Sequence, residues 1–334
     1  MTPATAIPVL DEFDARGVGE RIKLGEFFWA DVTLGTEATI EDIAAALSLD
    51  ADAAGTLGTF GRDEIGRRGA QRRIHADEQH VVFPFWCVWN PEATLDGKEN
   101  LDLFEVNVLV HGDYLLTVHE EAFDLRDLVG TSLPSGRSER YAVYVVLAAM
   151  TSTFFRALLV LQNDMGELEA ELFESDRRDA RSPRSRIRSA RVRLTELRSV
   201  VGPEQILFER AGEEIDQVRD LEGDHREYFE RINKQLDRII EGVDAASQGL
   251  SSAVEVQLNE TSYRLTILAT IFLPLTFITG FFGMNFDWMV AEISSQTAFW
   301  LLGVGGLVVA ALLICAFLIW QGVLSRPRPS LRRR

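Results

Sequence analysis

Cysteine is nearly absent from this chain of 334 residues, which has only Cys87 and Cys315. Cys87 lies in a charged part of the sequence and Cys315 in the middle of an apolar run, so we expect the two side chains in different solvents. This argues against a disulfide framework and against a zinc cluster built on cysteine. A reducing, cytoplasmic setting suits the charged part of the chain.

Basic residues are also scarce, because 34 Lys and Arg stand against 51 Asp and Glu, for a net charge of −17. A nucleic-acid binder needs a basic surface, so no nucleic-acid partner is expected. The sequence has no phosphate-binding glycine loop and no nucleophile elbow, which predicts neither ATPase activity nor any other enzyme activity, and no organic cofactor. The amino terminus lacks the basic and apolar regions of a cleavable signal peptide.

Long uncharged runs are confined to the carboxyl-terminal part of the chain. Residues 265–282 and residues 298–320 carry no charge over 18 and 23 positions. A membrane span needs about 20 apolar residues, so these runs predict two transmembrane helices, at 263–282 and 298–320, joined by a loop over 283–297. The alternative, a pair of buried core helices, is less favoured because so few residues separate the runs.

The distribution of charge predicts how these spans are oriented. Residues 262–334 hold 6 basic and 2 acidic side chains, which leaves 28 basic and 49 acidic ones in the rest of the chain. Arg264 precedes the first span and a basic tail over 321–334 follows the second, whereas the loop between them has only Asp287 and Glu292 as charged residues. Positive-inside logic therefore predicts a multi-pass protein of the cell membrane with both termini and the acidic body in the cytoplasm.

The acidic body changes character along its length. Residues 27–33, 80–89, 101–110 and 114–119 are rich in β-branched and aromatic residues and predict strands, the last two joined by a tight hairpin at 111–113. Residues 40–49 predict a short helix. We therefore expect a cytoplasmic α/β domain over 1–135 and a helical stalk over 136–262, with helices from Arg140 to about Glu174 and over 187–207.

A third stalk helix is predicted to begin near Glu213 and to continue through the first span to Phe282, since no proline interrupts it before Pro274. At 1.5 Å per residue these 70 residues would extend about 105 Å. A helix of that length needs partners beyond its own small domain. The fold class is thus an α/β cytoplasmic domain with a long helical stalk and two carboxyl-terminal transmembrane helices, in an assembly of several chains.

A stripe of residues spaced three and four apart follows the first span, and all but one of them are small or polar. Such a stripe indicates either close helix packing or a water-filled pathway, and packing is the commoner of the two. Two spans cannot enclose a pore within one chain, so a pathway requires a homo-oligomer with cyclic symmetry. The stripe consists of Asn259, Ser262, Thr266, Ala269, Leu273, Thr276 and Gly280.

The triplet Gly283-Met284-Asn285 follows the first span directly. With this triplet at this place, the sequence resembles the CorA family of magnesium and cobalt transport proteins. The likeness extends back through the span, to Asn259-Glu260, Leu265-Thr266-Ile267, Ala269-Thr270-Ile271-Phe272, Pro274-Leu275-Thr276-Phe277 and Gly280. Two positions depart from the family's pattern: Phe282 replaces the usual Tyr, and Val290 follows Met289 where proline is common.

The resemblance implies a funnel-shaped homopentamer in the lipid bilayer, with the first spans lining a central pore for Mg²⁺ and possibly Co²⁺ or Ni²⁺. Gly283, Met284 and Asn285 would form the selective ring at the outer mouth, where Asp287 and Glu292 would concentrate cations unless they are ordinary loop acids. The remaining pore-lining positions would be Asn259, Leu265, Thr266, Leu273, Thr276 and Gly280. Leu273 and Leu265 would form a hydrophobic gate, although Leu265 lies one residue off the stripe.

The same resemblance implies that cytoplasmic Mg²⁺, bound by acidic residues between domains, closes the pore. Asp220 and Asp224 on the stalk are the candidate ligands, with Asp63 and Glu64 in the α/β domain. For each of them an ordinary surface position is the simpler interpretation. Mg²⁺ would thus be both the transported and the regulatory ion.

Two further interpretations remain open. The segment His75-Ala76-Asp77-Glu78-Gln79-His80 contains metal-binding residue types, but its spacing fits no helical pair and it adjoins a predicted strand, so we favour an ordinary surface segment. At the level of function, the alternatives are a zinc transporter of the same superfamily, an exporter, or a membrane-anchored coiled-coil scaffold or sensor that conducts nothing.

Overall fold

The computed structural model describes residues 7–10, 13–60, 74–92, 100–120, 123, 125–129, 139–173, 183–219, 221, 226–284 and 295–320. The chain divides into two compact units, Met1–Ser252 and Ala253–Arg334. The predicted boundary near residue 135 and the basic tail over 321–334 lie outside the described residues.

A six-stranded mixed sheet forms the centre of the first unit, in the order β1-β2-β6-β5-β4-β3. β1 pairs parallel with β2, β2 pairs parallel with β6, and the remaining pairs are antiparallel. The strands are β1 (Val9–Leu10), β2 (Phe28–Thr33), β3 (His75–Ala76), β4 (His80–Val88), β5 (Leu103–His111) and β6 (Tyr114–His119).

The four strands predicted from β-branched and aromatic residues are confirmed within two residues. Val110 pairs with Leu115, so β5 and β6 form the predicted hairpin around Gly112 and Asp113. Sequence reasoning missed β1 and β3, which have two residues each and are too short to show an alternating pattern.

Helices cover both faces of the sheet. Three short helices, α1 (Ala15–Leu24), α2 (Ile40–Leu47) and α3 (Ala51–Leu57), share a core with one face. Because side chains alternate along a strand, Val82 joins that core while Val81 and Phe83 join the core on the other face. Burial on both sides explains why every residue of β4 is buried.

The opposite face of the sheet shares its core with long helices. A short helix α4 (Leu125–Val129) precedes α5 (Glu139–Phe173), α6 (Pro183–Ile215) and α7 (Arg226–Phe282). Apolar side chains of the sheet, of α5 and α6, and of the first part of α7 form one buried cluster. The predicted helix from Arg140 to about Glu174 is confirmed.

The predicted start of the third stalk helix near Glu213 is wrong. α6 continues through Pro203 to Ile215 and α7 begins at Arg226. Contacts distant in sequence hold the turn that ends α6: Arg219 N–H donates to the carbonyl of Glu78, and the Arg140 Nε donates to the carbonyl of Leu221 at 2.7 Å.

Two helices among the described residues are long and apolar enough to cross a membrane, Glu139–Glu171 and Glu227–Phe281. Half of the apolar window of the first is buried within the chain, where it packs in the core of the first unit, so α5 is a core helix. The apolar window of the second helix is not buried within the chain, and this helix contains all but the last residue of the first predicted span. After a helical turn (Gln296–Ala298) and a π-helical turn (Phe299–Val304), α8 (Gly305–Trp320) completes the second predicted span.

Candidate functional site

The small and polar stripe of the first predicted span is exposed along its whole length within one chain. Asn259, Thr266, Thr276 and Gly280 are all exposed, and Leu273 is 72% exposed. Leu265, which lies beside the stripe, is 62% exposed. The second unit therefore leaves the predicted pore-lining side chains uncovered.

The partly buried side chains of the same helix segment lie on its opposite side. At 100° per residue, their mean direction is roughly 160° from that of the stripe. All are apolar, so the chain covers the apolar side of the helix and leaves the small and polar side open. These partly buried residues are Ile267, Ile271, Pro274, Leu275 and Ile278.

Threonine hydroxyls on this helix donate their protons to the backbone. The Thr266 Oγ1 donates to the Ser262 carbonyl at 2.9 Å, and the Thr276 Oγ1 donates to the Phe272 carbonyl at 2.8 Å. A hydroxyl that has donated its one proton has only acceptor capacity left. The stripe therefore offers oxygen acceptors to a hydrated cation, whose water molecules are donors.

The Gly-Met-Asn triplet begins where α7 ends. Gly283 N–H donates to the carbonyls of Thr279 at 3.0 Å and of Gly280 at 3.2 Å, which closes the last helical turn. A Cβ on Gly283 would lie 3.2 Å from the Thr279 carbonyl oxygen, so glycine suits this close approach. Met284 is 42% exposed. Asn285, Asp287 and Glu292 lie outside the described residues, and their roles stay predictions.

The predicted regulatory ligands Asp63, Glu64, Asp220 and Asp224 also lie outside the described residues, and their roles stay predictions. Their sequence neighbours at the end of α6 are well anchored. Arg219 forms an ion pair with Glu78, and Arg140, only 8% exposed, holds the turn through Leu221 and through Asp216 at 3.3 Å.

A group of side chains of the types that can bind a metal lies at the edge of the sheet. The His75 Nε2 lies 3.4 Å from the Asp77 Oδ2 and 3.9 Å from the Asp50 Oδ2. Sequence reasoning noticed His75 and Asp77 but favoured an ordinary surface segment, and it missed Asp50 because Asp50 lies 25 positions before His75. Only the fold brings the start of α3 beside β3.

Asp77 is held in its ionised form. Partial burial would raise the pKa of its carboxyl, but hydrogen bonds from the backbone N–H groups of Gln79 and His80, together with the His80 ring, outweigh that effect and lower it. An ionised carboxylate is an acceptor and a metal ligand.

Comparisons with known proteins agree with this architecture. A family model described as CorA-like Mg²⁺ transporter protein matches residues 25–320, which is most of the chain. The chain therefore belongs to the CorA-like Mg²⁺ transporter family, a family of transporters. This confirms the resemblance inferred from the Gly-Met-Asn triplet and its setting.

Individual relatives carry two different names. The cobalt/magnesium transport protein CorA of Thermotoga maritima is 25% identical over 202 residues, covering 57% of this chain and 56% of that protein. A zinc transport protein ZntB of Yersinia pseudotuberculosis is 30% identical over 211 residues, covering 59% of this chain and 60% of that protein. The matches thus span less than two thirds of these relatives' length.

Solved structures share the fold. The CorA magnesium transporter of Methanocaldococcus jannaschii superposes with a TM-score of 0.57 at 17% identity, over 88% of this chain and 89% of that one. The full-length CmaX protein superposes with a TM-score of 0.55 at 19% identity, over 87% of this chain and 88% of that one.

Proposed function

We propose that this chain is the subunit of a divalent-cation channel that conducts Mg²⁺, and also Co²⁺ or Ni²⁺, into the cell down the electrochemical gradient. One observation carries the proposal. Among the described residues, the small and polar stripe of the first span lies on the side of the helix that its own chain leaves uncovered. The stripe leads to the Gly-Met-Asn triplet at the end of the helix.

The stripe becomes a pathway only if several copies surround it. One helix cannot enclose water, so the proposal requires a ring of copies around an axis, and five is the number implied by the family resemblance. Each copy would turn Thr276, Thr266 and Asn259 toward the axis. Mg²⁺ dehydrates reluctantly and keeps several waters, so hydroxyl and amide oxygens suit it as partners of its hydration shell.

The two ends of the pathway have separate tasks in this proposal. Asn285 would recognise the hydrated ion at the outer mouth, with Gly283 and Met284 completing the ring and with Asp287 and Glu292 raising the local cation concentration. Leu273 and Leu265 would close the pathway by excluding water from a narrow apolar ring.

In this proposal, electric charge explains both the driving force for ion entry and the closure of the pathway. A membrane potential contributes about 2.3 kcal/mol per elementary charge per 100 mV, and a divalent ion gains twice that. Cytoplasmic Mg²⁺ bound by Asp220, Asp224, Asp63 and Glu64 would hold the assembly closed, because carboxylates of neighbouring copies repel one another without a cation and are bridged with one. Both termini would lie in the cytoplasm, since the basic residues flank the spans on that side.

The test is Mg²⁺ influx into liposomes that contain the purified chain and a magnesium-sensitive dye. With an inside-negative potential and low luminal Mg²⁺, the wild-type chain should admit Mg²⁺, and Asn285→Ala should reduce the initial rate at least about 10-fold, because it removes the oxygen proposed to bind the hydration shell.

Asn163→Ala is the matched control, because it makes the same substitution at an exposed position of α5, in the first unit. Its influx should equal that of the wild type. Equal influx through the wild type and the Asn285 variant would remove Asn285 from the pathway. A lack of Mg²⁺ influx through the wild type would overturn the magnesium channel, and a zinc transporter and then the non-conducting scaffold would be the interpretations to test.

Zinc is the second candidate ion, because relatives at 30% identity are named zinc transport proteins. The same liposomes loaded with a zinc-sensitive dye decide between the ions. Mg²⁺ selectivity predicts that excess Zn²⁺ leaves Mg²⁺ influx largely intact, whereas a zinc transporter would admit Zn²⁺ and show no Mg²⁺ signal. Influx that depends on a proton gradient, or flux only outward, would indicate a coupled carrier or an exporter.

A further inference from the structure

The group at the sheet edge brings together three side chains from three segments. Asp50 precedes α3, His75 lies on β3, and Asp77 lies in the turn to β4. One ligand atom from each lies within 4.8 Å of the other two. Ligands of a tetrahedral zinc ion, bound at about 2.0–2.2 Å, lie roughly 3.3–3.6 Å apart, so the pair at 3.4 Å already fits and the pair at 3.9 Å is a few tenths of an ångström too long.

Backbone hydrogen bonds use only one oxygen of each carboxylate. The Asp77 Oδ1 accepts from the backbone N–H groups of Gln79 and His80 at 2.6 and 2.7 Å, and the Asp50 Oδ1 accepts from Ala53 N–H at 2.6 Å. The Oδ2 of each is the atom that faces His75. The backbone thus fixes both carboxylates with one oxygen directed to the same point.

The imidazole supplies an independent observation. The His75 Nε2 atom is buried and makes no hydrogen bond. A buried polar atom without a hydrogen bond is costly unless something else satisfies it. Pairing of His75 with Val82 in β4 fixes the position of the residue's backbone beside the two aspartates.

A further histidine lies behind the group. The His80 Nδ1 lies 3.4 Å from the Asp77 Oδ2. A histidine that donates to a ligating carboxylate orients it, as the outer partners of metal ligands commonly do. Asp50 and Asp77 keep 58% and 36% of their side-chain surface exposed, so an ion can enter from solvent and a water molecule can complete its coordination.

We infer that Asp50, His75 and Asp77 bind a divalent transition-metal ion of the zinc and cobalt class. Imidazole nitrogen with carboxylate oxygen suits such ions, whereas Mg²⁺ prefers oxygen ligands alone. The site is separate from the proposed pathway and does not rest on the proposed function. The competing explanation is that His75 only pairs with the two carboxylates and that no metal binds.

The test is a Co²⁺ titration of the purified full-length chain, with excess Mg²⁺ present to occupy sites made of oxygen alone. Visible absorption of Co²⁺ reports low coordination with a nitrogen ligand, and equilibrium dialysis counts the ions bound per chain. The wild type should bind one Co²⁺ per chain with this spectrum. Asp77→Asn and His75→Gln should each weaken that binding more than about 10-fold.

Glu78→Gln is the matched control for Asp77→Asn. It removes the same charge from the same turn, but Glu78 pairs with Arg219 and not with His75. Its Co²⁺ binding should equal that of the wild type, and Asn285→Ala should also keep the site. If Asp77→Asn does not fold, His75→Gln and the wild-type spectrum still decide the question.

Three results would overturn the inference. One is a wild-type chain that binds no Co²⁺ with a nitrogen-ligand spectrum. Another is binding that Asp77→Asn and His75→Gln leave unchanged, which would favour the ion pair. The third is an equal loss in Glu78→Gln, which would indicate a general effect of negative charge. Because Asn285→Ala should leave this metal site in place, a failure of the metal-site inference can be distinguished from a failure of the proposed pathway.

Discussion

Cys87 shows how far its surroundings change the chemistry of a single side chain. It has no exposed surface, and it lies in the core that β4 shares with the long helices. Burial raises the pKa of its thiol well above the usual range, and the carboxylates of Glu204 and Asp31 act in the same direction. Because only the thiolate is a strong nucleophile, Cys87 should be inert in the folded chain.

Thiol labelling tests this directly. In a Cys315→Ser chain at mildly alkaline pH, maleimide should label Cys87 about 100-fold or more slowly than a cysteine introduced at the exposed position Asn163, because labelling must wait for an opening of the core. In denaturant, both should react at similar rates. Rapid labelling of the native Cys315→Ser chain would show that the core around β4 opens freely.

Burial of Glu37 should affect the stability of the folded chain. Burial raises the pKa of its carboxyl, an effect that outweighs the attraction of Arg126 and is reinforced by Asp31. The folded state therefore holds the proton to a higher pH than the unfolded state does, and stability is lost as pH rises through the folded pKa.

Glu37→Gln removes this ionisation. The variant should have a higher Tm than the wild type near neutral pH, by about 1–3 °C, and the gain should vanish on acidification, where the wild-type carboxyl is already protonated. Thermal unfolding of both chains at several pH values measures this difference in Tm. A gain that persists at acid pH would assign the effect to packing and not to ionisation.

Sequence reasoning singled out candidate residues that belong to a contiguous motif, and it missed residues that only the fold brings close to their partners. Gly283 was singled out because the triplet is contiguous, and the structure places it directly after the end of α7, while its role in the pathway stays a prediction. Asp50 was missed because nothing in its local sequence indicates that it lies beside His75 in the folded chain. The buried Asp31, which accepts from Thr117 Oγ1 at 2.6 Å and from Leu125 N–H at 3.0 Å, was missed for the same reason.

For helices and strands, periodicity predicted type well and boundaries less well. β4, β5 and β6 alternate between two cores, and their pattern was plain in the sequence. The boundary between α6 and α7 was not, because no residue there forbids a helix. The Arg140 guanidinium on α5 and the backbone carbonyl of Glu78 beside β3 hold the turn from elsewhere in the chain.

Close packing of α7 against α5 yields a prediction about these two elements. A Cβ built on Gly242 would lie 2.6 Å from the Leu158 Cδ2, and Leu158 is only 3% exposed, so its methyl group has little room to move. Gly242→Ala should therefore force the helices apart locally, at a cost of about 1–3 kcal/mol from overpacking.

Gly249→Ala is the control in the same helix, because a Cβ there meets nothing within 4 Å. Alanine should stabilise α7 at that position by roughly 0.5–1 kcal/mol, since glycine loses more conformational freedom on folding. Unfolding of the two variants in denaturant compares them. If Gly242→Ala is as stable as Gly249→Ala, the contact with Leu158 does not limit the approach of the helices.

At the scale of the proposed assembly, the stripe on α7 either lines water or packs against another helix. Both arrangements bring the stripes of neighbouring copies together, and both agree with its exposure in one chain. They differ in solvent, because a packed stripe is dry whereas a pathway admits water and water-soluble reagents.

Thr276 and Ile278 are a suitable pair to separate these arrangements, because they lie two residues apart at the same depth but on opposite sides of the helix. Thr276 is exposed and Ile278 is partly buried by its own chain. In a Cys315→Ser background, where the buried Cys87 is expected to be inert, Thr276→Cys should cross-link neighbouring chains under mild oxidation. Ile278→Cys should not.

A charged methanethiosulfonate reagent then decides between water and packing, because it reacts with a thiolate in water and not with a thiol in a dry helix contact. A pathway predicts that the reagent modifies Thr276→Cys and stops Mg²⁺ influx into liposomes, while influx through Ile278→Cys is unaffected. Cross-linking without modification would mean that the stripe only joins the copies. The oxygens of Thr266 and Thr276 would then face no ion, and this result would overturn the proposal that ions pass along this helix.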